Sequence, residues 1–337
     1  MKVLCDKYLE KNTLEYVEQS SLTKMTANAA NTIHSTAIEK SNQLPTRSAP
    51  KNAWLANLSL EFSLTPNGSQ LTRTKRNGPL TVQKAFYPEG RDCAHIYLLH
   101  PPAGIVSGDE LRINVQVNEN AHCLVTTPGA NRFYRAREDL SIGDSKQVQH
   151  CELKLTSQAK CENFPLETIV YEGADGFNTV DVYLTKESAY LGWDITCLGL
   201  PSAGHLFKQG NYTQLNRVYC ENTLMYHDRI AIKPDNKIHQ HMAGLNNHSV
   251  FATFMAYAPA GQLSDADNKA LIEQLRECMI EAHAEHKISI SQIRQLLVIR
   301  YLGQHAEECK ALFIHLWQKI RPVYLNKAAS IPRVWHT

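Results

Sequence analysis

With 337 residues, 43% of them hydrophobic and 20% charged, the chain has the make-up of a folded protein with one large or two ordinary domains. A formal net charge of +2 gives no basic footprint for a nucleic-acid partner, and the sequence contains neither a run of membrane-spanning length nor a basic-then-apolar leader at its start. Nine cysteines, an odd number without Cys-x-x-Cys spacing, predict reduced thiols and a cytoplasmic protein.

Residues 1–52 read as a mobile extension. Met1–Val17 could form a short helix, but Ser20–Ser48 is rich in Ser, Thr, Asn and Ala and ends among prolines. From Trp54 the period is two: Leu58, Leu60, Phe62 and Leu64 alternate with polar residues, and Pro66-Asn-Gly68 supplies a turn. Further strands are expected at Leu71–Lys75, Leu80–Phe86, Ile96–Leu99, Leu111–Val117, Ala121–Val125, Gln147–Leu155, Thr168–Tyr171 and Thr179–Leu184. The series continues through Ala189–Cys197, Thr213–Cys220, Leu224–Ile232 and Val250–Tyr257. So many short strands predict a mainly β fold, a β-sandwich or β-helix-like sheets, over residues 53–262. Residues 263–337 read as a small C-terminal α+β unit carrying two helices. Ser264 and Asp267 have capping-box spacing ahead of Leu271, Ile272, Leu275, Met279 and Ala282. A strand at Leu296–Leu302 precedes a second helix, Ala306–Ile320, which Pro322 is expected to stop.

The densest stretch is Tyr97-Leu-Leu-His-Pro-Pro-Ala-Gly-Ile-Val-Ser-Gly-Asp109. A strand ends in His100 and two prolines, Gly104 and Gly108 permit tight geometry, and Asp109 follows the second turn. A second constrained loop, Thr126-Thr-Pro-Gly-Ala-Asn-Arg-Phe-Tyr-Arg135, carries Asn131, Arg132 and Tyr134. Read from the residues alone, these are polar loops on a β scaffold, serving either as a binding site or simply as corners, with Asp109 capping its own turn.

Most enzyme signatures are missing. The chain has no Gly-x-x-x-x-Gly-Lys-Ser/Thr loop, no Gly-x-Gly-x-x-Gly and no His-Glu-x-x-His. Gly199-Leu-Pro-Ser-Ala-Gly204 only imitates a nucleophile elbow, since Leu200 stands where a glycine is needed. Metal ligands are chemically available: His239 and His241 share one face if the segment is a strand, and His283 and His286 are spaced i,i+3 on a helix beside Glu281 and Glu285. The bland alternative for both pairs is a solvated surface.

The wording of these loops resembles the urease accessory protein D family (UreD or UreH). The resemblance rests on Gln83–Gly90, His95–Asp109 and Thr126–Arg135, then Pro165-Leu-Glu-Thr-Ile169, Gly192-Trp-Asp194, Cys197–Gly204 and Asp228-Arg229, and closes on Arg321-Pro322 and Pro332–Thr337. It covers Trp54 to Thr337 and leaves residues 1–52 outside. It implies a non-enzymatic maturation factor that binds apo-urease and recruits a UreF-type helical protein, which holds a UreG-type GTPase. No cofactor would be held permanently; nickel would be in transit through a polar internal passage. Asp109, Asn131, Asp194 and Asp228 are the positions this implication reaches, with His100, Gly104, Gly108, Arg132, Tyr134 and Glu167 as further motif residues. Ala103 and Ser107 replace glycines of the usual wording, and Asp228 stands for a more common Glu. The other readings are a scaffold that never touches metal and a metal-dependent hydrolase built on His100 and Asp109.

Overall fold

The computed structural model describes residues 54–336. The expected extension at residues 1–52, with its short helix, lies outside them. In chain order the strands are β1 (Trp54–Thr65), β2 (Gly68–Asn77), β3 (Thr81–Val82), β4 (Ala94–Leu99), β5 (Asp109–Val117) and β6 (His122–Thr126). They continue as β7 (Asn131–Phe133), β8 (Gln147–Leu155), β9 (Lys160–Phe164), β10 (Thr168–Val170), β11 (Asp175–Leu184) and β12 (Ala189–Leu200). After these come β13 (His205–Leu206), β14 (Asn211–Cys220), β15 (Thr223–Ile232), β16 (Val250–Tyr257), β17 (Ile288–Ile293) and β18 (Leu296–Gly303). The helices are α1 (Asp265–Glu281) and α2 (Ala306–Leu325).

One sheet has the order β15-β14-β11-β8-β5-β1-β2; the other runs β17-β18-β16-β12-β9-β6-β4-β3, with β7, β10 and β13 as side branches. From β4 to β12 the chain alternates between the sheets, so β5, β8 and β11 are parallel neighbours in one and β4, β6, β9 and β12 in the other. The mainly β expectation is met as a sandwich wound like a β-helix. Antiparallel pairing is confined to the flanks, among them β1–β2, β14–β15 and β16–β18. Strand periodicity reports which face is buried, not which way the neighbour runs.

The second sheet is a middle layer. Tyr190, Leu198, Phe251, Met255 and Val298 face the first sheet, while Trp193, Ile195, Phe254 and Ile299 face the helices. This explains why β16 is buried at every position and carries no hydrophobic alternation. Inside the helical layer Phe164 stacks on Trp193 with centroids 4.1 Å apart, and Trp317 and Trp335 close around it.

Ser264 caps α1 with the expected capping box, and Leu271, Ile272, Leu275 and Met279 are buried. Ala282 instead lies beyond the helix and is exposed. α2 runs through Pro322 to an αL exit at Asn326, so the expected stop is corrected. The last-turn carbonyls find side-chain donors: Gln262 Nε2 donates to Val323 O (2.6 Å) and Tyr324 O (3.1 Å), and Lys160 Nζ to Leu325 O (3.1 Å). With Tyr324 and Leu325 buried, this anchoring outweighs the one hydrogen bond that Pro322 removes.

Candidate functional site: a polar seam between the sheets

An inner sandwich face should be apolar, because each buried polar group there costs free energy unless it is hydrogen-bonded. Here both inner faces carry polar rows. In the first sheet, Gln149, Asn178 and Gln214 are register neighbours, and so are Asn216 and Asp228. In the second, Asn131, Thr168 and Thr196 form one row and Asp194, Thr253 and Arg300 another.

These side chains are linked. Asn131 Nδ2 donates to Gln149 Oε1 (3.1 Å), and Gln149 Nε2 to Asn178 Oδ1 (3.2 Å). Beside Asn178 and Thr196, the Tyr212 hydroxyl donates to Gln214 Oε1 at 3.0 Å. Gln214 Nε2 donates to Asn216 Oδ1 at 3.0 Å, and Asn216 lies beside the Asp194 carboxylate, whose charged form it favours. Asp228 accepts from Tyr226 Oη (3.0 Å) and Thr253 Oγ1 (3.4 Å). The seam therefore runs from the β7 loop to the β15–β18 side of the sandwich.

At the β7 end it meets a cavity of about 250 Å³ whose polar lining includes His100, Asn131, Gln149, Asn163, Asn178 and Asp194. Burial pushes the Asp194 carboxyl up to about 7, with the Asp228 charge adding to the rise and Asn216 opposing it. Burial also lowers the His100 imidazole, against the pull of Asp109, and His100 Nδ1 is buried without a hydrogen-bond partner.

The structure thus gathers Asn131, Asp194 and Asp228 along one seam, with His100 and Arg132 on the cavity wall. Asp109 stands apart from that wall: its carboxylate accepts from Val106 N (3.1 Å), so it caps its own turn. Burial raises the Asp109 carboxyl, and that hydrogen bond and His100 oppose the rise. Gly108 adopts φ +92° and its N–H donates to Lys146 O. Gly104 lies under the Tyr134 ring, which a Cβ would strike. Arg132 Nη1 donates to Ala103 O at 3.3 Å, tying the two loops together. Glu167 accepts Asn131 N–H through its backbone carbonyl.

The histidine pairs are placed differently from expectation. His239 and His241 lie in a series of turns, not on a strand, and only His239 is partly buried, with Nε2 unpartnered. His283 follows the end of α1 at φ +53°, so it shares no helix face with His286. His286 pairs with Glu285 at 3.5 Å.

A second charged cluster escaped the sequence reading. Arg321 is fully buried between Glu162 and Glu89, with Nη2 2.9 and 2.7 Å from their Oε1 atoms. His122 meets Glu162 at 2.9 Å and His95 meets Glu89 at 2.6 Å. Glu89, Cys93 and His95, and likewise Cys93, His122 and Glu162, lie close enough to hold a metal ion. Arg321 already supplies the cation there, and Trp317 Nε1 donates to Glu162 Oε2 at 2.7 Å. Burial and the two glutamates hold the Cys93 thiol well above its ordinary range. The cluster clasps α2 to the middle sheet. An arginine on the apolar face of α2, four residues after Trp317, was its signal in the sequence.

Fold and seam together define a β-sandwich with a hydrogen-bonded polar interior; among the described residues no helix is long and apolar enough to cross a membrane. Comparison with known proteins places it more closely. The profile of the family described as "UreD urease accessory protein" matches residues 55–336. A urease accessory protein UreD of Psychromonas ingrahamii is 63% identical over 299 residues, spanning 87% of this chain and 97% of that protein. Those of a Marinomonas species and Saccharophagus degradans are 38% and 33% identical, over 88% and 89% of this chain and 94% and 99% of theirs. The chain belongs to the UreD urease accessory protein family, whose relatives are named as accessory proteins of urease rather than as enzymes.

Proposed function

We propose that within urease maturation this chain is a non-catalytic nickel conduit. It binds apo-urease, is held there with UreF- and UreG-type partners, and passes nickel along the polar seam. The observation that carries this reading is the pair of facing polar rows, Asn216–Asp228 and Asp194–Thr253, of which Asn216, Asp194 and Thr253 are buried and Asp228 half-buried where a sandwich would otherwise be apolar. A conduit must attract a divalent cation and release it, and amide, hydroxyl and carboxylate oxygens presented in series suit that better than a thiolate cage. A passing cation would also offset the desolvation that otherwise disfavours an ionised Asp194. Nucleotide hydrolysis belongs to the GTPase partner, as this sequence has no phosphate-binding loop.

The test is nickel content of apo-urease matured with its other accessory proteins and either the native chain or Asp194→Ala. Loading should fall to the level found without the chain, while pull-down shows the complex still assembled. Full loading with Asp194→Ala would favour the pure scaffold. The hydrolase reading has less support: among the described residues, neither metal-capable trio contains His100 or Asp109.

A further inference from the structure

The seam ends at a cation. Across β12, β16 and β18, Asp194, Thr253 and Arg300 are register partners, and their in-phase neighbours Met255 and Val298 face the first sheet. Arg300 Nη2 lies 3.3 Å from Asp228 Oδ1 and donates to Tyr226 Oη at 3.0 Å. Tyr226 and Thr253 both serve the other oxygen, Oδ2. The Oδ1 side of Asp228 therefore faces only the guanidinium among the side-chain contacts described. Asp228 is 16% exposed and Arg300 50% exposed, so the pair sits where the seam meets solvent. Contrast Arg321, fully buried and held by both Glu89 and Glu162. That cation is fixed in the fold; Arg300 is a half-solvated one on a long flexible stem, the kind of ion pair that opens readily.

We propose that Arg300 closes the β18 end of the seam: its guanidinium occupies, as a tethered cation, the place beside Asp228 that a divalent cation would take. The inference rests on the conduit reading above. In the free chain, metal reaches Asp228 and Asp194 from this side only when Arg300 swings out into solvent. Its positive charge also repels an approaching cation along the same path, so the closure is electrostatic as well as steric.

Equilibrium dialysis of the full-length chain against Ni²⁺ tests this with Arg300→Met and Arg300→Gln, of which the methionine keeps the apolar stem. Both should bind Ni²⁺ about ten-fold more tightly than the native chain, because a neighbouring positive charge is gone. Arg300→Lys should bind as the native chain does, and adding Asp228→Asn to Arg300→Met should abolish the gain. Unchanged affinity in folded Arg300→Met and Arg300→Gln, judged by their thermal midpoints, would overturn the closure. So would a gain that survives Asp228→Asn. Urease loading with Asp194→Ala separates the two levels. If the arginine variants bind normally while Asp194→Ala blocks loading, only the closure fails. If Asp194→Ala loads urease fully, the conduit fails and the closure with it.

Discussion

Asp194 holds its proton to about pH 7 in the folded chain, against an ordinary value of 3.8. Between those values the folded state binds a proton that the unfolded state has lost, so stability falls as pH rises through that window. The full span corresponds to on the order of 4 kcal/mol. Asp194→Asn should therefore unfold at a higher temperature than the native chain at pH 8, with the advantage gone near pH 4. An equal advantage at both pH values would mean the gain has another cause. Arg321 works in the opposite sense. Burial would raise Glu162 and Glu89, but hydrogen bonds from His122, His95 and Arg321 hold both carboxyls below their usual range. Their contribution is present above the ordinary carboxyl range and is lost on acidification below it. Arg321→Ala strands two buried carboxylates, and the urea midpoint should report a loss of about 3–5 kcal/mol.

At the scale of elements, the two loops act as one because Gly104 lets the Tyr134 ring lie against the backbone, with Tyr171 stacked 5.5 Å beyond. Gly104→Ala should displace that ring and cost about 1–3 kcal/mol, visible as a lower urea midpoint and altered near-ultraviolet dichroism. Strand positions were legible where one face is buried: Gln147–Leu155 and Val250–Tyr257 match β8 and β16 end to end. The short β7, β9 and β13 went unseen, and β9 shows why. Its sequence, Lys160-Cys-Glu-Asn-Phe164, shows no apolar alternation, and Glu162 is satisfied only by the distant Arg321 and Trp317 and by His122 on the neighbouring strand. Leu80–Phe86 shrinks to Thr81–Val82, and Pro322 fails to stop α2, in that second case because partners far in sequence cap the helix end.

Over the whole molecule, the seam is a stability–function compromise. Replacing Gln214 by Met and Asn216 by Leu would substitute apolar volume for two buried amides bonded to each other, while the Tyr212 hydroxyl loses its acceptor on Gln214. Removing both partners of a buried hydrogen bond is close to neutral for stability, but a stranded Tyr212 hydroxyl costs about 1–3 kcal/mol, so this double variant should lose that much by its urea midpoint and lose nickel loading of urease. Loading at the native level would place the route elsewhere.

The order of residues by itself determined the β character, the capped helix α1, the two tight loops and, through their wording, the resemblance to the family. Those properties are local: they follow from period-two alternation, turn-forming prolines and glycines, and capping chemistry. Only the tertiary structure decided that the central strands run parallel and that Asp109 caps its turn away from the cavity wall. It also decided that Asp194 and Asp228, 34 positions apart by their numbering, face one seam from opposite sheets. A carboxylate's role depends on what lies across the sandwich from it. That neighbour belongs to a strand whose direction and register follow from the winding of the whole chain, and no local pattern in the sequence records it.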